Sequence, residues 1–147
     1  MIAAMDRHDR TPSDATRLVQ ENFRWVDGHA DVWRLFLDVE VLSAVVHELV
    51  APWRDRGVTK VCGIESRGFL VGGAAAVALG AGFVAIRKAA GLFPGAKIAE
   101  QAEVDYRGTR HKLRMQRNAL RPSDRVLLVD DWAEKGSQAR SSNASHR

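Results

Sequence analysis

The chain has 147 residues, of which 46% are hydrophobic and 27% charged, with a formal net charge of +4. That is enough material for one globular domain with a substantial core, and it excludes disordered, collagen-like and coiled-coil chains. A single cysteine, Cys62, excludes an internal disulfide and a zinc site built from thiolates, and it fits a reducing, cytoplasmic setting.

Residues 1–15 read as a flexible arm, 16–140 as one folded domain and 141–147 as a disordered polar tail. The few apolar residues before Asp6 do not form a secretory signal. A short helix is predicted over 16–26, with Leu18, Val19 and Phe23 on one side, followed by a turn at Asp27-Gly28-His29. From Val39 onward, Leu42, Val45, Val46, Leu49, Val50 and Trp53 recur at helical spacing, and Arg56-Gly57 supplies the stop.

Residues 58–64 read as a β-branched strand, 65–68 as a polar turn, 69–79 as a buried helix and 83–86 as a second strand. A strand, helix, strand unit implies parallel pairing and a right-handed crossover. The uncharged run at 69–86 is long enough for a membrane span. Its Ala and Gly content and the Gly80-Ala81-Gly82 punctuation favour helix, turn and strand instead. Residues 87–97 form a loop with Gly and Pro, and 103–106 and 112–116 flank Arg107-Gly108-Thr109-Arg110 as a hairpin. Val126-Leu127-Leu128-Val129 is an unbroken apolar strand of the kind found at the centre of parallel sheets, and it ends in Asp130-Asp131.

In open α/β sheets, ligands bind beyond the carboxyl ends of the strands. Three loops in this chain follow three predicted strands: Glu65-Ser66-Arg67-Gly68, then Arg87-Lys88, then Asp130-Asp131-Trp132-Ala133-Glu134-Lys135-Gly136-Ser137-Gln138. The first two supply cationic side chains and backbone N–H groups. The third supplies two carboxylates, suited to sugar hydroxyls or a hydrated magnesium ion, and a Gly-Ser turn able to hold phosphate. The basic residues, 17 arginines against 5 lysines, agree with an anionic ligand. No interleaved basic and aromatic stripe is present, so nucleic acid is not the expected partner. The five histidines show no metal-ligand spacing.

On these residues the chain resembles the type I phosphoribosyltransferases, most closely the adenine phosphoribosyltransferase group. The motifs are Gly63-Ile64-Glu65-Ser66-Arg67-Gly68-Phe69, Phe83-Val84-Ala85-Ile86-Arg87-Lys88 with Pro94-Gly95, Val104-Asp105-Tyr106, and Asp124-Arg125-Val126-Leu127-Leu128-Val129-Asp130-Asp131. The resemblance implies a parallel sheet flanked by helices, with a flap hairpin and an incomplete C-terminal end. It implies transfer of 5-phosphoribose from phosphoribosyl pyrophosphate to a purine-like base, with magnesium bound through the substrate rather than by direct protein ligands.

The roles it implies are as follows. Glu65, Ser66, Arg67 and Gly68 hold the pyrophosphate, and Arg87 and Lys88 face it. Asp130 and Asp131 take the ribose hydroxyls, and Glu134, Lys135, Gly136, Ser137 and Gln138 cradle the 5-phosphate. Asp105, on the flap, assists proton movement on the base; Arg67 and Asp105 are the catalytic pair. Trp33 or Phe36 stacks on the base. A homodimer in the cytoplasm, with no membrane partner, completes the expectation.

Three departures from the family pattern stand beside it. Lys135 and Gln138 occupy the threonine positions of the phosphate loop, which also carries Glu134. Leu37 replaces the arginine of a Phe-Arg-Asp run, where Phe36 and Asp38 fit. The sequence stops before the helix and strand that ordinarily follow the phosphate loop. These keep open a regulatory binder of phosphoribosyl pyrophosphate or nucleotides with weakened catalysis, and an inactive fragment of the enzyme.

Overall fold

The structure is a computed structural model, and it describes residues 13–88, 93–104 and 110–130. The chain divides into two compact units between Glu48 and Leu49.

The first unit opens with helix α1 (Asp14–Asn22), capped by the Ser13 side chain, which accepts the Thr16 N–H at 3.2 Å. That cap starts the helix earlier than the predicted 16–26, and the helix also ends earlier. Trp25 and Val26 leave it to form β1 (Trp25–Val26), which pairs antiparallel with β2 (His29–Ala30). Asp27 and Gly28 both take positive φ, 49° and 76°, the backbone that a two-residue hairpin turn requires. A 3-10 turn at Trp33–Phe36 leads into α2 (Val39–Val50). Asp38 caps α2: its Oδ1 accepts the N–H of Glu40 at 2.8 Å and of Val41 at 3.2 Å. Val32, Leu35 and Val41 form the small core of this unit, with Leu18, Val19, Phe23, Phe36 and Val45 packed against it.

The second unit is built on a five-stranded sheet. Its strands are β3 (Lys60–Ile64), β4 (Gly82–Lys88), β5 (Lys97–Val104), β6 (Arg110–Gln116) and β7 (Val126–Val129), in the order β5-β6-β4-β3-β7. The expected parallel pairing holds for β3 with β4 and β3 with β7. The expected hairpin, β5 with β6, is antiparallel. It extends the same sheet, because β6 pairs antiparallel with the end of β4 through Arg87↔Arg114 and Lys88↔Leu113. The sheet is therefore mixed rather than purely parallel, and β5 begins at Lys97, ahead of the hairpin strand expected from residue 103. Its polar residues Lys97, Glu100 and Gln101 suit an edge strand and show none of the apolar alternation that marks a half-buried one.

Helix α3 (Arg67–Leu79) connects β3 to β4. It ends at Gly80, in the left-handed conformation at φ 65°, where the Ala81 N–H bonds the Ala76 carbonyl at 2.9 Å. The uncharged run at 69–86 is thus helix, turn and strand, as its composition indicates. No helix among the described residues is long and apolar enough to cross a membrane.

β3 is covered on both faces. Cys62 and Ile64 join Val84, Ile86 and Leu113 in one buried cluster, with Ala119, Leu120 and Leu128 against it. On the other face α3 lies close enough that only glycine fits between. A Cβ at Gly63 would run into the Gly68 carbonyl group and come within 2.9 Å of the Phe83 ring. One at Gly72 would lie 3.3 Å from Gly63 Cα. This contact sets where α3 begins, and so the shape of the loop before it.

At the opposite end of the sheet, Asp124 accepts from the Arg121 N–H at 2.7 Å and from the Thr59 hydroxyl at 2.9 Å. The Thr59 N–H bonds the Arg125 carbonyl at 2.9 Å, fixing the start of β7 beside β3. These bonds hold the half-buried Asp124 carboxyl below its ordinary range, the Arg121 amide first and the Thr59 hydroxyl second.

Candidate active site

The carboxyl ends of β3, β4 and β7 lie side by side, and each carries one of the loops singled out in the sequence. β3 passes through Glu65 and Ser66, across a cis peptide bond, into α3 at Arg67. Arg67 is half-buried at the helix N-terminus, where the positive end of the helix dipole favours an anion. The Ser66 side chain does not cap α3; its carbonyl accepts the Phe69 N–H at 3.1 Å.

Glu65 ties this loop to the second one. Its N–H bonds the Ile86 carbonyl at 2.9 Å, its Oε1 receives Arg87 Nη2 at 3.1 Å, and its Oε2 receives the Lys88 N–H at 2.7 Å. The Arg87 guanidinium also lies over the Phe93 ring, 5.9 Å from its centroid.

Gly68 ties the first loop to the third. A Cβ there would sit 3.2 Å from Asp130 Oδ1 and 3.3 Å from the Val129 carbonyl oxygen. The Asp130 carboxylate is therefore seated against the backbone of the loop that begins α3, in a cradle that a side chain at Gly68 would fill. Arginine, lysine, a helix N-terminus and two carboxylates, Glu65 and Asp130, meet on a single edge of the sheet. That set can bind an anionic sugar phosphate through its charges and hydroxyls.

Among the described residues, no group of three or more His, Cys, Asp or Glu is placed to hold a metal ion. Glu65 is engaged by Arg87 and Lys88. Asp105, Asp131, Glu134, Lys135, Gly136, Ser137 and Gln138 lie outside the described residues, as do most of the arm and the whole tail.

Trp33 and Phe36 belong to the first unit. Their rings meet edge to face, with centroids 5.9 Å apart. Phe36 packs against the core of that unit, while Trp33 is 50% exposed. Sequence reasoning missed Phe93, six residues beyond Arg87 and directly before Pro94-Gly95. Its aromatic ring in an otherwise small-residue loop was the available signal.

No protein-family model matches the sequence. It is 45% identical over 114 residues to an adenine phosphoribosyltransferase of a Nocardioides species, a match that covers 75% of this chain and 60% of that one. The structure superposes on the crystal structure of adenine phosphoribosyltransferase from Rhodothermus marinus with a TM-score of 0.80 and 32% identity, covering 90% of this chain and 77% of that one. It superposes on the Giardia lamblia enzyme complexed with 9-deazaadenine with a TM-score of 0.76 and 34% identity, covering 84% and 71%. The chain spans only 55–60% of the length of the curated relatives it matches most strongly. With identity above 30% over most of two solved enzymes, the chain belongs to the adenine phosphoribosyltransferase family of type I phosphoribosyltransferases.

Proposed function

We propose that the protein transfers 5-phosphoribose from phosphoribosyl pyrophosphate to adenine and releases pyrophosphate, a purine-salvage reaction. The observation that carries this reading is the joining of three loops at one sheet edge: Glu65 bonded to Arg87 and Lys88, and Gly68 seated under Asp130. Adenine is the base because the relatives are adenine enzymes, and one solved relative is complexed with 9-deazaadenine.

In the reaction a ring nitrogen of the base attacks the anomeric carbon as the bond to pyrophosphate breaks, and the bonding pair leaves with pyrophosphate. The centre in between resembles an oxocarbenium ion, so catalysis rests on neutralising the leaving group and holding the reactants in line. Arg67, Arg87 and Lys88 supply positive charge to the pyrophosphate, aided by the α3 N-terminus. Asp130 accepts hydrogen bonds from the ribose hydroxyls. Asp130 is the described residue that would stand nearest a substrate-bound magnesium ion, which would supply positive charge to the leaving pyrophosphate.

Base stacking by Trp33 or Phe36 comes from the family resemblance. From the family pattern come the proton-moving role of Asp105, the ribose contact of Asp131 and the 5-phosphate turn at Glu134, Lys135, Gly136, Ser137 and Gln138. A homodimer in the cytoplasm is also part of the proposal, supported by the family resemblance and by a buried, unpaired Cys62 thiol.

A thermal melt with magnesium and phosphoribosyl pyrophosphate tests the site. Ligand at a hundredfold excess over its dissociation constant stabilises the native state by about 2.7 kcal/mol, so the midpoint rises. A cooperative melt that ignores the ligand refutes the proposal. A midpoint that rises while no base supports turnover favours the regulatory binder, whose sequence signal is Glu134 and Lys135 in the phosphate loop.

A further inference from the structure

The geometry points to Glu65 and Phe93 as positioning residues that together hold the Arg87 guanidinium in a fixed orientation for pyrophosphate. This rests on the proposed function, since it names how one cation of that site is held.

A carboxylate in the middle of a pyrophosphate-binding loop is out of place as a direct ligand, because it has no proton to donate and repels the anion. Both of its oxygens are instead accounted for within the protein. Oε1 receives Arg87 Nη2 at 3.1 Å, which fixes the guanidinium within its own plane. Oε2 receives the Lys88 N–H at 2.7 Å, which fixes the backbone one residue further along β4. The Phe93 ring, 5.9 Å from the Arg87 guanidinium carbon, constrains the face of the same group.

The edge constraint comes from the loop after β3 and the face constraint from the segment between β4 and β5, so two separate parts of the chain meet on one side chain. The Glu65 and Arg87 side chains are 25% and 32% exposed. At that exposure the pair is largely shielded from water, so its hydrogen bonds hold one geometry rather than averaging over many. The planar fork of arginine gains specificity from being held in one plane.

The test is binding of inorganic pyrophosphate with magnesium, measured by calorimetry, in a double-mutant cycle. Glu65→Gln keeps the shape and an acceptor for the Lys88 N–H but removes the charge facing Arg87. Phe93→Leu removes the ring. Each is expected to weaken pyrophosphate binding about tenfold, the size of one charge-assisted contact. In an Arg87→Gln background neither should weaken it further. The ligand-free melting midpoint should stay close to that of the parent chain. Should Glu65→Gln unfold the chain, Phe93→Leu carries the same comparison.

Unchanged affinity in both single variants, or the full loss persisting in the Arg87→Gln background, overturns the positioning role and leaves the proposed function standing. A parent chain that binds no pyrophosphate overturns both.

Discussion

Gly63→Ala isolates the contact on which the loop geometry depends. The Gly63 backbone does not take a positive φ, so alanine meets no conformational barrier there and the effect is steric. The new methyl would overlap the Gly68 carbonyl group and approach the Phe83 ring to 2.9 Å. The ring can shift, but the Gly68 carbonyl belongs to the first turn of α3 and can move only if the helix moves. Overpacking of this kind costs typically 1–3 kcal/mol, while exchanging glycine for alanine in a strand returns roughly 0.5–1 kcal/mol of chain entropy. Because the clash is with helix backbone, the upper end of the overpacking range applies; a net destabilisation of about 2 kcal/mol follows, and for a chain of this size it lowers the melting midpoint by roughly 4–8 °C.

Gly73→Ala is the matched control. It lies in the same helix, where a Cβ meets nothing within 4 Å. It should stabilise by about 0.5–1 kcal/mol through helix propensity alone. Urea denaturation followed by circular dichroism measures both variants. Equal stability for Gly63→Ala and the parent chain would refute the claim that α3 is seated on bare β3 backbone.

Asp38→Ala removes the acceptor for two N–H groups of α2 and should cost about 1 kcal/mol in the same urea assay. The Cys62 thiol is pushed from 9.0 up to about 11, chiefly by burial and secondarily by Asp124. A raised thiol pKa means the folded state holds its proton more tightly. Its contribution is therefore complete below pH 9 and is lost as pH rises through about 11. The loss is roughly 2–3 kcal/mol, and in Cys62→Ala this part of the alkaline decline should vanish. For Asp124 the sign is reversed: its pKa is lowered from 3.8, so its contribution is present above that pH and is lost as pH falls through the lower folded value. Asp124→Asn should flatten that acid limb, as read from urea midpoints between pH 5 and pH 2.

The strand, helix, strand core was legible because its signals are local and strong. Val61, Cys62 and Ile64 are buried on opposite faces of one strand, Gly80 stops the helix, and Val126 to Val129 has no polar residue to place it elsewhere. The early start of β5 was not legible because an edge strand needs no apolar face, and β1 and β2 are only two residues each. At the site, the sequence indicated which loops would meet but not how. Glu65 reads as a ligand by its place in the motif, and only the fold shows its carboxylate spent on Arg87 and Lys88. Gly63 and Phe93 act through contacts with Gly68 and Arg87, which no periodicity reveals.

Adenine-dependent release of pyrophosphate from phosphoribosyl pyrophosphate with magnesium, measured side by side for the parent chain and Arg67→Ala, decides whether the protein is a phosphoribosyltransferase. Release should require adenine and fall by about a hundredfold or more in Arg67→Ala, as on loss of a charge-stabilising group. A folded parent chain that releases no pyrophosphate with adenine, or an Arg67→Ala variant as active as the parent, would contradict that assignment.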